Sequence, residues 1–277
     1  MADIGWLEFR GCRLAYRIDG TGPPLVMIQG VGAAGTAQNP QIEQLAKQYT
    51  CLSFDNRGIG ASQPRGKPLS TKLMAGDVQA LMDHLRWDSA HLVGHSFGGM
   101  IALQMALASR NRVRTLSLIC SFAHGAQASR LSFRLLWILL RLHIGTRPAR
   151  RQAFLDLAVP PNHPDAHSPQ LADRFSRIVG HDIADAPSIA REQVQAMRAT
   201  DLTSRLHALR GIPTLVVNGD QDLIAPPRLG RVMAAAIPGA QYVEIAGAAH
   251  SFPILEPERC AGLILQHLAK AGETAVR

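Results

Sequence analysis

Apolar residues along the first 120 positions fall into two kinds of run. Short apolar stretches bounded by Gly, Pro, Asn or Asp read as strands, and longer ones with a 3.6-residue stripe read as helices. The pattern predicts strands over 6–9 and 13–18, joined by a Gly-containing turn as an antiparallel start. Residues 24–29 (PLVMIQ) are nearly all apolar, as in a strand covered on both faces. A short helix over 38–47, with Ile42 and Leu45 inward, leads to a buried strand over 49–54. Leu73, Val78, Leu81, Met82 and Leu85 give a helix over 71–86. A strand over 90–93, a helix of small residues over 100–108 and a strand over 113–120 follow. From 124 to 206 the alternation stops. Helical patterns over 129–143, 148–157, 168–181 and 187–199 are broken up by Pro160, Pro161, Pro164, Pro169 and Pro187. It resumes with a strand over 214–218, a helix over 226–236, a strand over 241–245 and a helix over 256–270. Residues 271–277 read as a frayed tail.

Strand–helix alternation of this kind implies an α/β fold, with a mostly parallel central sheet flanked by helices. The core then comprises 1–123 and 207–277, and 124–206 form a helical cap inserted over the carboxyl ends of the strands, where open sheets bind ligands.

Composition removes several function classes. The net charge of +8 comes mostly from scattered arginines. Nucleic-acid binding would need a compact basic patch or a reader module. Cys12, Cys51, Cys120 and Cys260 show no zinc-like spacing and predict buried, reduced thiols. No apolar signal-peptide core and no membrane-spanning run is present. The expectation is a cytoplasmic protein acting on a small molecule.

Gly94-His95-Ser96-Phe97-Gly98 matches G-x-S-x-G between a strand and a helix. A serine at so tight a turn needs Gly94 and Gly98, because side chains there would collide. The turn lifts Oγ above the sheet and leaves the following amides at a helix N-terminus, ready for a developing oxyanion. Ser62, Ser70 and Ser121 lack this setting. A serine nucleophile needs a base. His250 lies in a loop directly after the strand 241–245, at the carboxyl edge beside Ser96. His95 is expected to point away from Oγ and play a supporting role. His124 is a candidate pocket residue, and the scatter of the other histidines predicts no metal site. The third member is a carboxylate that orients the imidazole. Gly219-Asp220-Gln221-Asp222 offers two, and the residues alone favour neither.

At this point the chain resembles the α/β-hydrolase superfamily, in its esterase, lactonase and carbon–carbon hydrolase branch. The resemblance spans nearly the whole chain and is loosest over the insertion. The order serine, acid, histidine is the family's. Its Gly-x-x-Asp turn falls on Gly219–Asp222, which implies Asp222 as the triad acid and Asp220 as a turn residue. The run from Asp55 through Arg57, Gly58 and Gly60 to Ser62 looks like the family's D-x-R-G-x-G-x-S loop, implying buried, paired roles for Asp55 and Arg57. Where the family usually has His-Gly-x, this chain has Gln29-Gly30-Val31-Gly32. The resemblance implies oxyanion donors at the amides of Val31 and Phe97, with Gln29 replacing the histidine at the pocket. It also implies no metal, nucleotide or redox cofactor. Ser96 argues against the family's carboxylate-nucleophile dehalogenases and epoxide hydrolases. Perhydrolases share the triad.

The segment 129–143 (SRLSFRLLWILLRLH) puts Arg130, Arg134 and Arg141 on one narrow stripe of an otherwise apolar helix. It reads as a cap helix, as a dimer-forming helix or as a membrane-surface contact. Leu135 and Trp137 are candidate pocket residues. The expected function is hydrolysis of a carboxylic ester or lactone of a small hydrophobic substrate. The alternatives are carbon–carbon cleavage of a diketone-like ring-fission product and a small-ligand receptor on a hydrolase scaffold.

Overall fold

The computed structural model describes residues 4–35, 39–128 and 133–275. Eight strands form one sheet: β1 (Gly5–Phe9), β2 (Cys12–Asp19), β3 (Pro24–Ile28), β4 (Thr50–Phe54), β5 (Ala90–His95), β6 (Val113–Ile119), β7 (Thr214–Gly219) and β8 (Gln241–Ile245). Their spatial order is β1-β2-β4-β3-β5-β6-β7-β8. The β1–β2 and β2–β4 pairings are antiparallel, and all others are parallel. Edge strand β1 alternates half-buried and exposed positions, whereas β3 is apolar and buried over Leu25–Ile28. That contrast is the one between a strand wet on one face and a strand covered on both.

Helices α1 (Asn39–Leu45), α2 (Thr71–His84) and α3 (Phe97–Ala108) connect β3 to β4, β4 to β5 and β5 to β6. After the insertion come α9 (Pro227–Ala236), α10 (Phe252–Leu255) and α11 (Pro257–Ala275). On one face of the sheet, Val26, Leu92 and Leu116 pack with Met74 and Leu81 of α2, Ile101 of α3 and Met233 of α9. On the other, Met27, Val93, Ile119 and Val217 pack with Ile42 of α1 and Ile264 and Leu268 of α11. Arg57 is wholly buried and binds Asp77 through two guanidinium nitrogens, with its Nε at 2.7 Å. Asp55 accepts from the amides of Gly35 and Ala61.

Between β6 and β7 the described residues are helical: α4 (Gly125–Ala128), α5 (Phe133–Arg141), α6 (Arg147–Ala158), α7 (Pro169–Val179) and α8 (Ala190–Arg198), then a 3-10 helix over Thr203–Leu209. Thr146 and Ser168 cap α6 and α7, each followed by proline in the first turn, a strong helix start. The insertion's two ends clasp each other. Gly125 N donates to Thr200 O at 3.0 Å and Leu202 N to Ala123 O at 2.9 Å. Leu202, Leu206 and Leu209 already belong to the main core.

Three elements differ from expectation. Helix α3 starts at Phe97, immediately after Ser96, and not at 100. The helix expected over 129–143 is described only from Phe133; residues 129–132, with Arg130, lie outside the described residues, and so does the Arg134 side chain. Helix α11 runs through the expected tail to Ala275, since only Gly272 in that stretch opposes a helix. Residues 276–277 lie outside the described residues.

Candidate active site

Ser96 sits at the junction of β5 and α3 with φ 55 and ψ −123, a conformation a non-glycine residue adopts only when its surroundings impose it. Those surroundings are visible. Its amide donates to Ile119 O at 2.9 Å, and its carbonyl accepts from Gly99 N at 3.0 Å and Ser121 Oγ at 2.7 Å. The flanking glycines leave room for this. A Cβ on Gly94 would lie 2.5 Å from Gly99 Cα, and one on Gly98 would strike the Ile28 carbonyl. Gly99 is equally constrained, because its Cβ would run into the Ser121 hydroxyl. That third glycine and Ser121 carry no signal in a five-residue motif.

His250 Nδ1 lies 2.8 Å from Asp222 Oδ2, and both residues are buried. The other carboxylate oxygen of Asp222 accepts from the amides of Ile224 at 2.8 Å and Ala225 at 2.7 Å. The two amides fix the carboxylate, and the carboxylate fixes the ring. Asp220 does something else: its Oδ1 accepts from Gly247 N at 2.8 Å and braces the turn before His250. The geometry therefore separates two acids that the residues alone left open.

His95 lines the same cavity as Ser96 and sets its ring against that of His250, centroids 5.0 Å apart and planes tilted by 39°. Its Nε2 lies 3.1 Å from the His250 carbonyl. Burial, and then the neighbouring His250, lower its pKa to about 3, so it is neutral and donates to that carbonyl. Cys120, with φ 47, lies under the same loop. Burial and the nearby Asp222 charge push its thiol well up, so it stays protonated. Among the described residues, His95, Cys120 and His250 are the one group whose ligand atoms lie close enough to hold a metal, within 4.8 Å. Their Asp222 and carbonyl contacts already use a ring nitrogen of each histidine.

Gly30 approaches Ser96 so closely that a Cβ would lie 3.1 Å from the serine Cβ. The Val31 amide has no hydrogen bond among the described residues. Phe97, as the first residue of α3, has an amide that no preceding helical carbonyl can reach. Gln29 is buried, donates to Gly35 O at 3.4 Å, and leaves its Oε1 without a partner among the described residues.

Ser96, His250, Gln29, Gly30 and Val31 line one cavity of about 970 Å³. Its upper wall comes from the insertion, including Leu135, Leu139, Phe154 and Phe175. Its floor reaches Met27, Val93 and Ile119 on the sheet and Cys260 and Ile264 on α11. Two expected pocket residues lie elsewhere. Trp137 is 62% exposed, on the side of α5 opposite Leu135. His124 pairs with Asp201 at 3.2 Å in the clasp between the insertion's ends. Helix periodicity explains the first, since 135 and 137 are about 200° apart around α5. Phe133, Leu136, Leu140 and Ile144 join Trp137 on the exposed stripe. No helix among the described residues is long and apolar enough to cross a membrane.

A parallel sheet with a strained serine elbow, and an acid and a histidine after its last strands, defines an α/β hydrolase. The family model of the alpha/beta hydrolase fold matches residues 23–257, and the chain belongs to that family. It is 30% identical over 246 residues to a protein of Azorhizobium caulinodans named as a carbamate hydrolase, RutD, covering 88% of this chain and 91% of the relative. Among solved structures, the enol-lactonase from Burkholderia xenovorans LB400 superposes with a TM-score of 0.81 at 25% identity, covering 96% of this chain and 100% of that one. A thermophilic esterase from Thermogutta terrifontis gives 0.78 at 27% identity, covering 98% and 99%.

Proposed function

We propose that this hydrolase cleaves a carboxylic ester or lactone of a small hydrophobic substrate through an acyl-enzyme at Ser96. The observation that carries the reading is the buried His250–Asp222 contact of 2.8 Å, opening on the same cavity as a serine held at φ 55. His250 Nε2 takes the hydroxyl proton as Ser96 Oγ bonds to the carbonyl carbon. The carbonyl electron pair moves onto oxygen, where the Phe97 and Val31 amides stabilise it. Collapse breaks the carbon–oxygen bond, and the leaving alkoxide takes the proton from His250. Water then gives a proton to His250 and attacks the acyl carbon. The second collapse releases the acid and returns the proton to Ser96. Asp222 stays ionised and stabilises the imidazolium in both halves.

Substrate apolarity is supported by the walls: the cap side supplies leucines and phenylalanines beside Arg150, Arg191 and Arg198, and the floor supplies Met27, Val93 and Ile264. The cap role of 124–206 rests on the same lining. The name of the RutD relative favours a second reading, carbamate hydrolysis, in which the same attack expels an amine.

The test is labelling with a fluorophosphonate probe, wild type beside Ser96→Ala, with mass spectrometry of the adduct. Labelling at Ser96 that vanishes in the variant is the expected result. A folded wild-type protein that resists the probe and turns over no ester, lactone or carbamate would defeat the proposal. Product analysis on the same panel separates these bonds from carbon–carbon cleavage.

A further inference from the structure

The loop that carries Val31 is held in two different ways. Its base is tied to the core: the Gln29 carbonyl accepts from Asn56 Nδ2 at 3.2 Å, and Gly35 N donates to Asp55. Its tip is tied to the insertion. Gly32 N donates to Gln193 Oε1 at 2.8 Å, Gly32 O lies 3.1 Å from His181 Nε2, and Ala34 N donates to Val179 O at 3.1 Å. Gln193 belongs to α8 and is separated from Gly32 by most of the chain.

We infer that Gln193 is a positioning residue: its side-chain carbonyl holds the Gly32 amide and thereby sets the backbone beside Val31, the proposed oxyanion donor. The inference rests on the serine-hydrolase reading above. Gly30 and Gly32 flank Val31, and Gly32 sits at φ +75. Glycine has no Cβ to lock its peptide planes, so hydrogen bonds must select one orientation. The Gln193 bond fixes the plane joining Val31 to Gly32, which is one of the two planes meeting at Val31 Cα.

Packing alone does not account for glutamine at this place. Gln193 is wholly buried, and its Nε2 has no partner among the described residues. An unpaired buried amide carries a desolvation penalty that a methionine of similar volume would not. The acceptor oxygen is the gain that offsets it. Because that oxygen comes from a cap helix, any shift of α8 is transmitted to the oxyanion donor as well as to the pocket wall.

The experiment compares wild type, Gln193→Met and Gln193→Glu. Methionine keeps the volume and removes the acceptor; glutamate keeps an acceptor. The readouts are kcat and KM on p-nitrophenyl butyrate, inhibition by an alkyl boronic acid that forms a tetrahedral adduct, and Tm. Losing a whole oxyanion donor costs about 10²–10³ in kcat, so losing its support should cost about tenfold. In Gln193→Met, kcat should fall about tenfold with KM within about twofold, and boronate affinity should fall by the same factor, as for an interaction made in the transition state. Its Tm should hold or rise. Gln193→Glu should recover at least about half of the wild-type kcat. A Gln193→Met enzyme within about twofold of wild type in kcat overturns the inference, and so does a kcat loss that follows Tm while boronate affinity stays constant. If wild type turns over the ester and labels at Ser96, those outcomes strike this inference alone. If wild type does neither, the site reading fails and this inference fails with it.

Discussion

The sheet core and the helical insertion are built from different interactions. The core has apolar clusters on both faces of the sheet and one fully buried ion pair, Arg57–Asp77. The insertion has a small cluster around Leu155, Leu171 and Phe175, and a mesh of surface ion pairs. Arg147 and Arg151 both reach Asp182, Arg147 and Arg150 reach Asp185, and Arg151 reaches Asp173. Burial holds the core at any ionic strength, whereas half-exposed pairs are screened by salt. The residues of the proposed triad come from the sheet core, and much of the pocket wall comes from the insertion with its added mesh of charge.

The largest break in this contrast is expected at Asp222. Asp222→Asn should lower kcat by about 10⁴, because it disturbs the histidine tautomer while leaving the geometry in place. Asp220→Asn should change kcat by less than about tenfold and act mainly on Tm. Equal losses in the two variants would remove the distinction drawn between these acids. Next in size is Asp77→Ala, which strands the buried Arg57 charge and should destabilise the core by about 3–5 kcal/mol in urea unfolding. Little change in the urea midpoint would mean that the pair does not anchor the core.

A smaller effect is expected from His91. Burial first, and then Arg114, hold its pKa down at about 4 against an ordinary 6.5. The unfolded chain therefore binds a proton between about pH 6.5 and pH 4 that the folded chain does not, and stability falls as pH drops through that window. The contribution is on the order of 2–3 kcal/mol by pH 4. His91→Gln should flatten the pH–Tm profile there, and an unchanged slope would count against this source. The smallest effect is expected from Arg151→Ala, under about 1 kcal/mol globally. It should raise proteolytic cutting within the insertion at low salt and lose that difference at high salt. The carboxyl of Asp182, held below the ordinary carboxylate range by the Arg151 hydrogen bonds, loses this mesh only at acid pH.

How far the sequence could be read follows the same division. The inner parallel strands β3, β6 and β7 are largely buried runs legible to within a residue or two at each end, and so is the edge strand β8, although it exposes Gln241 and Glu244. Ser96 and His250 stand out in the sequence because each follows a strand end, where such sheets bind ligands, and the structure brings both to one cavity. Local composition did not separate Asp220 from Asp222, since the choice depends on which carboxylate meets the amides of Ile224 and Ala225. The insertion was harder to read. In α5 both faces are apolar, so periodicity gives the helix but not the face; of the two candidates, Leu135 lines the cavity and Trp137 is exposed. Gln193 carried no signal, because its partner Gly32 lies far away in the chain and the contact exists only after folding.

Strands β6 and β7 lie side by side in the finished sheet, yet residues 120–213 separate them. A chain made from its N-terminus must therefore wait with β6 as an open edge until the whole insertion has emerged. Long-range parallel pairing is slow because the intervening loop must close first. An unpaired apolar edge strand is also a template for pairing with another chain. The clasp of Ala123 and Gly125 with Leu202 and Thr200 joins the two ends of that loop, so only a short stretch from 203 to 213 is left to reach β7. Asp222 and His250 arrive later still. In chain order Ser96 precedes the insertion while Asp222 and His250 follow it, so the proposed triad is complete only once the last strand has been made.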